Sequence, residues 1–487
     1  MKKMNRNRQQ KSNHKREASP KKKPLQPLKH HGEKLPIESG NKYELMITGF
    51  GTGGEGVGRI NDFTVFVPQA LPGERVSVCI EDIRKNYARG SLLHIIEKSP
   101  DRAEPACSLF ADCGGCQLQH LSYEAQLAAK RQQVLDALKH IGGIGDVCVL
   151  PTLGAENPWH YRNKMQFPVG REKGNPVIGC FAQGTHRIID TEDCLIQKAA
   201  NNALVQAMRE AVKKFHIPIY DEDRHTGILR HVTGRVAKNG DTMAVLVTAR
   251  KELRHAKEIA AFLRSHLPRV VSIQQNIQTY HNNVILGRET KLLWGSQTIL
   301  DSVGSLSFHI SARSFFQVNT EQAEVLYKKA LEAAQLTGKE TVIDAYCGTG
   351  TISLFFAQRA KKVYGIEIVR PAILDARQNA KDNGIKNAEF IVGDAARIMP
   401  HLYNKGIRPH VIVVDPPRAG CTQTVLQTFV AMQPQRIVYV SCNPATLARD
   451  LALLKEMGYQ AEEVQPVDMF PMTAHIESVA RIEKICK

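Results

Sequence analysis

This chain has no apolar run approaching the ~20 residues that a membrane-spanning helix requires. Its cationic N-terminus is not followed by the apolar stretch of a secretory signal. Cysteine is sparse, eleven in 487 residues, and too clustered for a disulfide-stapled secreted scaffold. These absences predict a cytoplasmic protein with no membrane partner, and nothing in the sequence calls for an obligate protein partner. A further absence is chemical. The turn Cys347-Gly348-Thr349-Gly350-Thr351-Ile352-Ser353 lacks the G-x-G-x-x-G pattern. It therefore does not suit a nicotinamide dinucleotide, whose pyrophosphate needs that longer turn.

The length allows two or three domains, each with its own core. The net charge of +17 is uneven: residues 1–34 carry twelve Lys/Arg against Glu17 and Glu33, and the remainder carries only +7. A basic balance favours a polyanion, nucleic acid before a membrane surface. Residues 1–38 read as a disordered basic tail. Residues 39–98 read as a small β module, with alternation at Phe63, Val65, Val67 and at Val76, Val78, Ile80. Glycines at 49, 51, 53, 54, 56 and 58 mark a wide turn, and Leu71-Pro72-Gly73-Glu74 marks another. The expectation is an OB-like, partly open β-barrel, an architecture often used to bind nucleic acid.

Residues 99–310 mix helix-like and strand-like patterns and read as a central α/β domain. Near its start, Cys107-x5-Cys113-Gly114-Gly115-Cys116 sets three thiols around a flexible Gly-Gly bend. That is a metal-site pattern needing a fourth thiolate. Cys194 is the favoured fourth ligand; Cys148 and Cys180 are less well placed by local sequence. Spacing alone leaves zinc and an iron–sulfur cluster equally open. Trp159 to Lys164 interleaves aromatic and basic side chains, as base stacking with phosphate contact would need, although core packing explains Trp159 and Tyr161 equally well. Arg230 and His231 are further candidates for RNA contact.

Residues 311–487 switch to strand–helix repeats and predict a Rossmann-like domain. Strands end in turn at Asp344, Glu367, Asp394 and Asp415, and ligands of such folds sit at the carboxyl ends of the strands. Glu367 suits ribose hydroxyls and Asp394 an adenine. The short Gly348–Gly350 turn suits S-adenosylmethionine, which carries no pyrophosphate. A fifth strand exposes Cys442 in Ser441-Cys442-Asn443-Pro444. A thiolate there can add to carbon-6 of a uracil, making carbon-5 nucleophilic toward a methyl donor. Glu477, with His475 as the alternative, is placed to remove the carbon-5 proton afterwards.

SFFQVN (Ser314 to Asn319), DAYCGTG (344–350), DPPR (415–418), SCNPATLARD (Ser441 to Asp450) and HIESV (475–479) resemble the RNA 5-methyluridine methyltransferase family. GEGVGR followed by VFVPQALPGERV resembles the TRAM domain, an RNA-binding barrel. The likeness runs from about Tyr43 to Val479. It implies that Gln317, Tyr346, Glu367 and Asp415 bind S-adenosylmethionine, that Cys442 is the nucleophile and that Glu477 is the base. It also implies a [4Fe–4S] cluster, in preference to zinc, on Cys107, Cys113, Cys116 and Cys194. The barrel and cysteine set together resemble the 23S rRNA branch more than the tRNA branch. Uridine carbon-5 in 23S rRNA is thus the expected target, with tRNA uridine the alternative. An amino-methyltransferase fits less well, because those enzymes typically place an aromatic residue after the two prolines, where Arg418 stands. A non-catalytic rRNA-binding or assembly factor would leave Cys442 and the strand-end acids without a role.

Overall fold

The computed structural model describes residues 36–485, so nearly all of the expected basic tail lies outside the described residues. The first unit is built from β1 (Lys42–Phe50), β2 (Gly56–Ile60), β3 (Phe63–Val67), β4 (Arg75–Ile83) and β5 (Tyr87–Glu97). These strands close in the order β1-β2-β3-β5-β4. The barrel is closed, where the sequence suggested a partly open one, because β5 pairs parallel to β3 while β4 pairs with both β5 and β1. The alternating residues Val65, Val67, Val76, Val78 and Ile80 form its core, as period-2 patterning requires. Glycine is obligatory at 56 and 58, where a Cβ would come within 2.6 Å of the Ala70 carbonyl oxygen and 2.5 Å of that of Met46.

After α1 (Tyr123–His140) and β6 (Cys148–Val149) comes a second unit. It contains β7 (Lys164–Glu172), β8 (Asn175–Phe181), β9 (Ile188–Asp190), α2 (Ala199–Lys214), β10 (Leu229–Val236), β11 (Thr242–Thr248), α3 (Ala256–His266), β12 (Val270–Ile277) and β13 (Glu289–Gly295). Its sheet runs β13-β12-β11-β10-β7-β8-β9. Leu204 and Met208 of α2 and Ile259 and Leu263 of α3 share a core with Met165, Val232 and Leu246 of the strands. This burial of a helix stripe against a sheet face is what holds a two-layer unit together. A hairpin of β14 (Thr298–Val303) and β15 (Leu306–Ser311) leads into the last unit.

That unit comprises α4 (Thr320–Ala334), β16 (Thr341–Asp344), α5 (Thr351–Ala357), β17 (Lys362–Glu367), α6 (Arg370–Asp382), β18 (Ala388–Val392), α7 (Ala395–Asn404), β19 (Val411–Val414), α8 (Gln423–Ala431), β20 (Arg436–Ser441), α9 (Pro444–Glu456), β21 (Tyr459–Val467) and β22 (Glu477–Lys484). The sheet order is β18-β17-β16-β19-β20-β22-β21-β6. The order reverses between β16 and β19, so the cleft at their carboxyl ends is the switch point at which open α/β sheets bind ligands. Strand β22 inserts antiparallel between β20 and β21.

The edge of this sheet comes from far earlier in the chain. Strand β6 pairs with β21, and α1 buries Val134, Ala137 and Leu138 against Leu447, Ala448 and Leu451 of α9. Residues 123–149, which the sequence grouped with the central domain, are thus built into the C-terminal sheet. Their apolar stripe needed a partner, and α9 supplies it. Among the described residues no helix is long and apolar enough to cross a membrane.

Candidate active site and cysteine centre

Gly348 (φ +53°) and Gly350 (φ +85°) take left-handed conformations at the end of β16, which glycine adopts without steric cost. The Glu367 carboxylate at the end of β17 accepts from the Gly348 and Val369 N–H groups, at 3.3 and 2.8 Å. This fixes it beside the glycine turn. Tyr346 is half-buried and close enough to Glu367 and Asp394 for both carboxylates to raise its pKa, although burial is the larger cause. Asp394 is exposed and caps α7 by accepting from Ala396 N–H at 2.8 Å. Asp344 is fully buried: Oδ2 accepts from the Ser353 hydroxyl at 2.6 Å, and Oδ1 has no partner. Exposed Ile368, Val369 and Val392 stand along the same edge, an apolar surface that a flat heterocycle would cover. The edge therefore offers a ribose acceptor, an apolar shelf and a close-approach turn, a combination that fits S-adenosylmethionine.

Cys442 follows directly after β20, and the antiparallel register pairs Ser441 with Ser478. The next step along that register sets Cys442 beside Glu477. The thiol is half-buried, and its pKa is pushed up to about 11 by burial, then by the negative charges of Glu477 and Asp415. Glu477 is buried, and burial, followed by Asp415, raises its pKa well above the usual carboxylate range. Asp415 itself rises to about 7, mainly through burial and then through Asp344. One cation opposes these shifts: Arg418 lowers both the Cys442 thiol and the Glu477 carboxyl. Its backbone carbonyl accepts from Asn443 Nδ2 and Thr446 Oγ1, at 3.1 and 3.3 Å, tying the 415–418 loop to the Cys442 turn. His475 is exposed, with its ring edge-on to Phe470.

Removing the Arg418 charge leaves less thiolate at a given pH, because the thiol's pKa moves further from neutrality. Arg418→Met is expected to slow single-turnover methyl transfer about tenfold near pH 7.5, one pKa unit being a factor of ten. The deficit should hold steady below about pH 10 and close only as pH passes the thiol's value of about 11. A loss of equal size at every pH would assign Arg418 a different task.

Sequence reasoning missed Tyr327. It is buried on α4, the Gln317 side chain meets its hydroxyl, and Asp415, Glu477 and Asp344 all act on it. It thus links Gln317 and Asp344 to Asp415 and Glu477. Gln317 is in turn held by Asn163, whose Nδ2 donates to the Gln317 carbonyl at 2.9 Å. Neither Tyr327 nor Asn163 had a local signal, since each acts through a contact between distant segments.

The four expected cysteine ligands lie in one neighbourhood without closing into a metal-holding group. Cys116 feels Cys194, Cys113 and Cys107, and Cys194 feels Cys113 and Cys107. A fifth thiol joins them: Cys180, which the sequence ranked behind Cys194, hydrogen-bonds Cys113. Gly114 N–H donates to the Phe181 carbonyl at 3.1 Å, and Cys113 bridges to Ala182, so the loop docks on the end of β8. Among the described residues, no group of three or more His, Cys, Asp or Glu side chains is assembled to hold a metal ion. The sulfur-only donor set is one that zinc and an iron–sulfur group both accept. The Cys113 pKa is lowered to about 6 with Cys180 as its donor, whereas burial pushes Cys116 up to about 12 and Cys194 up to about 11. Cys148 is exposed on β6 and takes no part.

The proposed RNA contacts divide. Arg230 is buried, clamped by Glu222 and by the carbonyls of Gln278 and Tyr280, and His231 contributes a buried Nδ1 without a partner. Arg230 is thus committed to internal contacts, which its local sequence did not show, whereas half-buried His231 is not. Tyr161 is core, packed with Ile196 and Met472, while Trp159 is partly buried against the same group.

The tRNA (uracil-5-)-methyltransferase family model matches residues 122–485, and the TRAM domain model matches residues 36–93. The chain belongs to the uracil-5-methyltransferase family. An uncharacterized RNA methyltransferase of Halalkalibacterium halodurans is 51% identical over 93% of this chain and 99% of its own. Another, of Clostridium tetani, is 52% identical over 91% and 97%. Among solved structures, the tRNA (uracil-54, C5)-methyltransferase of Pyrococcus abyssi, in complex with S-adenosyl-L-homocysteine, superposes with a TM-score of 0.72. It has 26% identity over 90% of this chain and 100% of that one. The methyltransferase described here is thus an S-adenosylmethionine-dependent RNA enzyme with an N-terminal TRAM barrel.

Proposed function

We propose that this methyltransferase methylates carbon-5 of a uridine in 23S rRNA through a covalent bond to Cys442. The observation that carries the reading is the β20–β22 register, which sets Cys442 and Glu477 side by side next to Asp415. In the proposed sequence the Cys442 thiolate adds to carbon-6 of the uracil, and the electron pair of the 5,6 double bond passes to carbon-5 as an enolate. That carbon would take the methyl group of bound S-adenosylmethionine, whose sulfonium–methyl bond breaks to leave S-adenosylhomocysteine. Glu477 then takes the proton from carbon-5, the carbon–sulfur bond breaks, and the thiolate is restored. Splitting one hard substitution into addition and elimination is the advantage of a nucleophile here. A carboxyl whose pKa is raised is the stronger base once ionised, and the Arg418 charge favours that ionised form.

Gln317, Tyr346, Glu367 and Asp415 would hold S-adenosylmethionine, with Asp344 beneath the turn and Asp394 at the adenine end. Cys107, Cys113, Cys116 and Cys194 would hold a [4Fe–4S] cluster. Cys113→Ser is expected to lose iron and RNA affinity together, measured by metal analysis and filter binding. Undiminished RNA affinity in the iron-free variant would separate the cluster from substrate binding.

The barrel and the cysteine set support rRNA, whereas the name of the Pyrococcus relative favours a tRNA uridine. Mapping 5-methyluridine in ribosomal and transfer RNA, from cells with and without the protein, decides between them. Loss confined to tRNA would overturn the rRNA assignment.

A further inference from the structure

We infer that Tyr161, Lys130, Gln126 and the Gln117–Leu118 backbone position Glu477 by holding the turn that leads into β22. The inference rests on the reading of Glu477 as the base. Three successive carbonyls of that turn are each bound from residues 117–161. Lys130 Nζ donates to the Phe470 carbonyl at 3.2 Å and the Tyr161 hydroxyl to that of Pro471 at 3.1 Å. The Gln117 and Leu118 N–H groups both donate to the Met472 carbonyl at 3.0 Å. Met472 N–H in turn donates to Gln126 Oε1 at 3.1 Å. Upstream of the turn, buried Asp468 pairs with Lys130 at 2.6 Å and accepts from the Tyr123 hydroxyl at 3.0 Å.

The turn needs this support. Met472 has φ +66°, a left-handed conformation that is strained for a residue other than glycine and persists only where its surroundings impose it. Five residues later stands Glu477, the first residue of β22. The barrel reaches the same place: a Cβ on Gly54 would lie 3.2 Å from the side chains of both Ala474 and Gln117. None of these groups reaches Cys442 or the cofactor edge, so their effect passes through the backbone of 470–477. A displacement of about 1 Å at a reacting group can cost about a hundredfold in rate.

Tyr161→Phe tests this by deleting a single hydroxyl and keeping the ring in its core. Gln126→Met, which keeps the side-chain length, is the independent second variant. With full-length protein and an unmodified 23S rRNA transcript, we expect kcat to fall about tenfold or more with KM for RNA unchanged. The covalent protein–RNA adduct should accumulate, and amide hydrogen exchange across 470–479 should quicken about tenfold while the barrel and β16–β19 stay protected. Wild-type exchange across 470–479 in both variants overturns the inference whatever Glu477 does. Quickened exchange with a wild-type adduct level also overturns it, provided Glu477→Gln accumulates adduct. Quickened exchange with no adduct in any variant removes Glu477 as the base and leaves the support of the turn standing.

Discussion

Cys442→Ala is expected to lose methyl transfer by a factor on the order of 10⁴ or more, the scale seen when a covalent nucleophile is removed, while S-adenosylmethionine binding stays within twofold. The separation follows from position. The cofactor-side groups Glu367, Tyr346 and Asp394 lie at the ends of β17, β16 and β18, whereas Cys442 lies beyond β20 on the other side of β19. Replacing the thiol by hydrogen removes only its hydrogen bond to the backbone of its own residue, since its other surroundings act on it through burial and charge. Calorimetry with S-adenosylmethionine and a tritium-release assay on RNA measure the two effects separately. Wild-type turnover by the alanine variant would end the nucleophile assignment.

Glu477→Gln is expected to slow the overall reaction by about 10²–10⁴-fold, the usual contribution of a positioned base. It should do so by trapping the methylated adduct, visible as a slow-migrating protein–RNA band on a denaturing gel. The substitution is nearly isosteric and also removes the repulsion from Asp415 that, after burial, raises the Glu477 carboxyl. The folded state gains stability from that relief. Glu477 is harder to ionise when folded than when unfolded, so it opposes folding increasingly as pH rises above its unfolded value near 4.5. The variant should accordingly melt at a higher temperature than the wild type at pH 8, with the difference fading toward pH 4. Absence of a trapped adduct would move the base elsewhere, to His475 first.

Much of this architecture is legible in the sequence because its signals are local. Four strands that end in an acid, with β-branched residues before it, announce a sheet edge. The barrel's period-2 alternation is equally plain in Val76, Val78 and Ile80. What escapes is whatever depends on pairing between distant segments. Nothing near Cys148 says that two residues will extend a sheet formed by the far end of the chain. Arg230 looks like a surface cation until Glu222 and two carbonyls are seen to enclose it. The local sequence of Cys180 does not reveal that the 113–116 loop will fold down onto β8. The closeness of Cys442 and Glu477 was suggested by motif alone; its physical cause is the antiparallel insertion of β22, which no periodicity records.

The strand β6 and helix α1 that complete the C-terminal sheet also constrain how the chain assembles during synthesis. Lys130 must wait for Asp468, 338 residues downstream, before its charge is matched. The apolar stripe of α1 likewise stays unsatisfied until α9 emerges from the ribosome. Pairings of such long sequence separation form slowly and leave adhesive surface exposed meanwhile. The barrel can close as soon as residue 97 is made, whereas the catalytic half can close only once the last strand is released. Nascent chains arrested before β21 should therefore carry a protease-resistant barrel and a protease-sensitive α1.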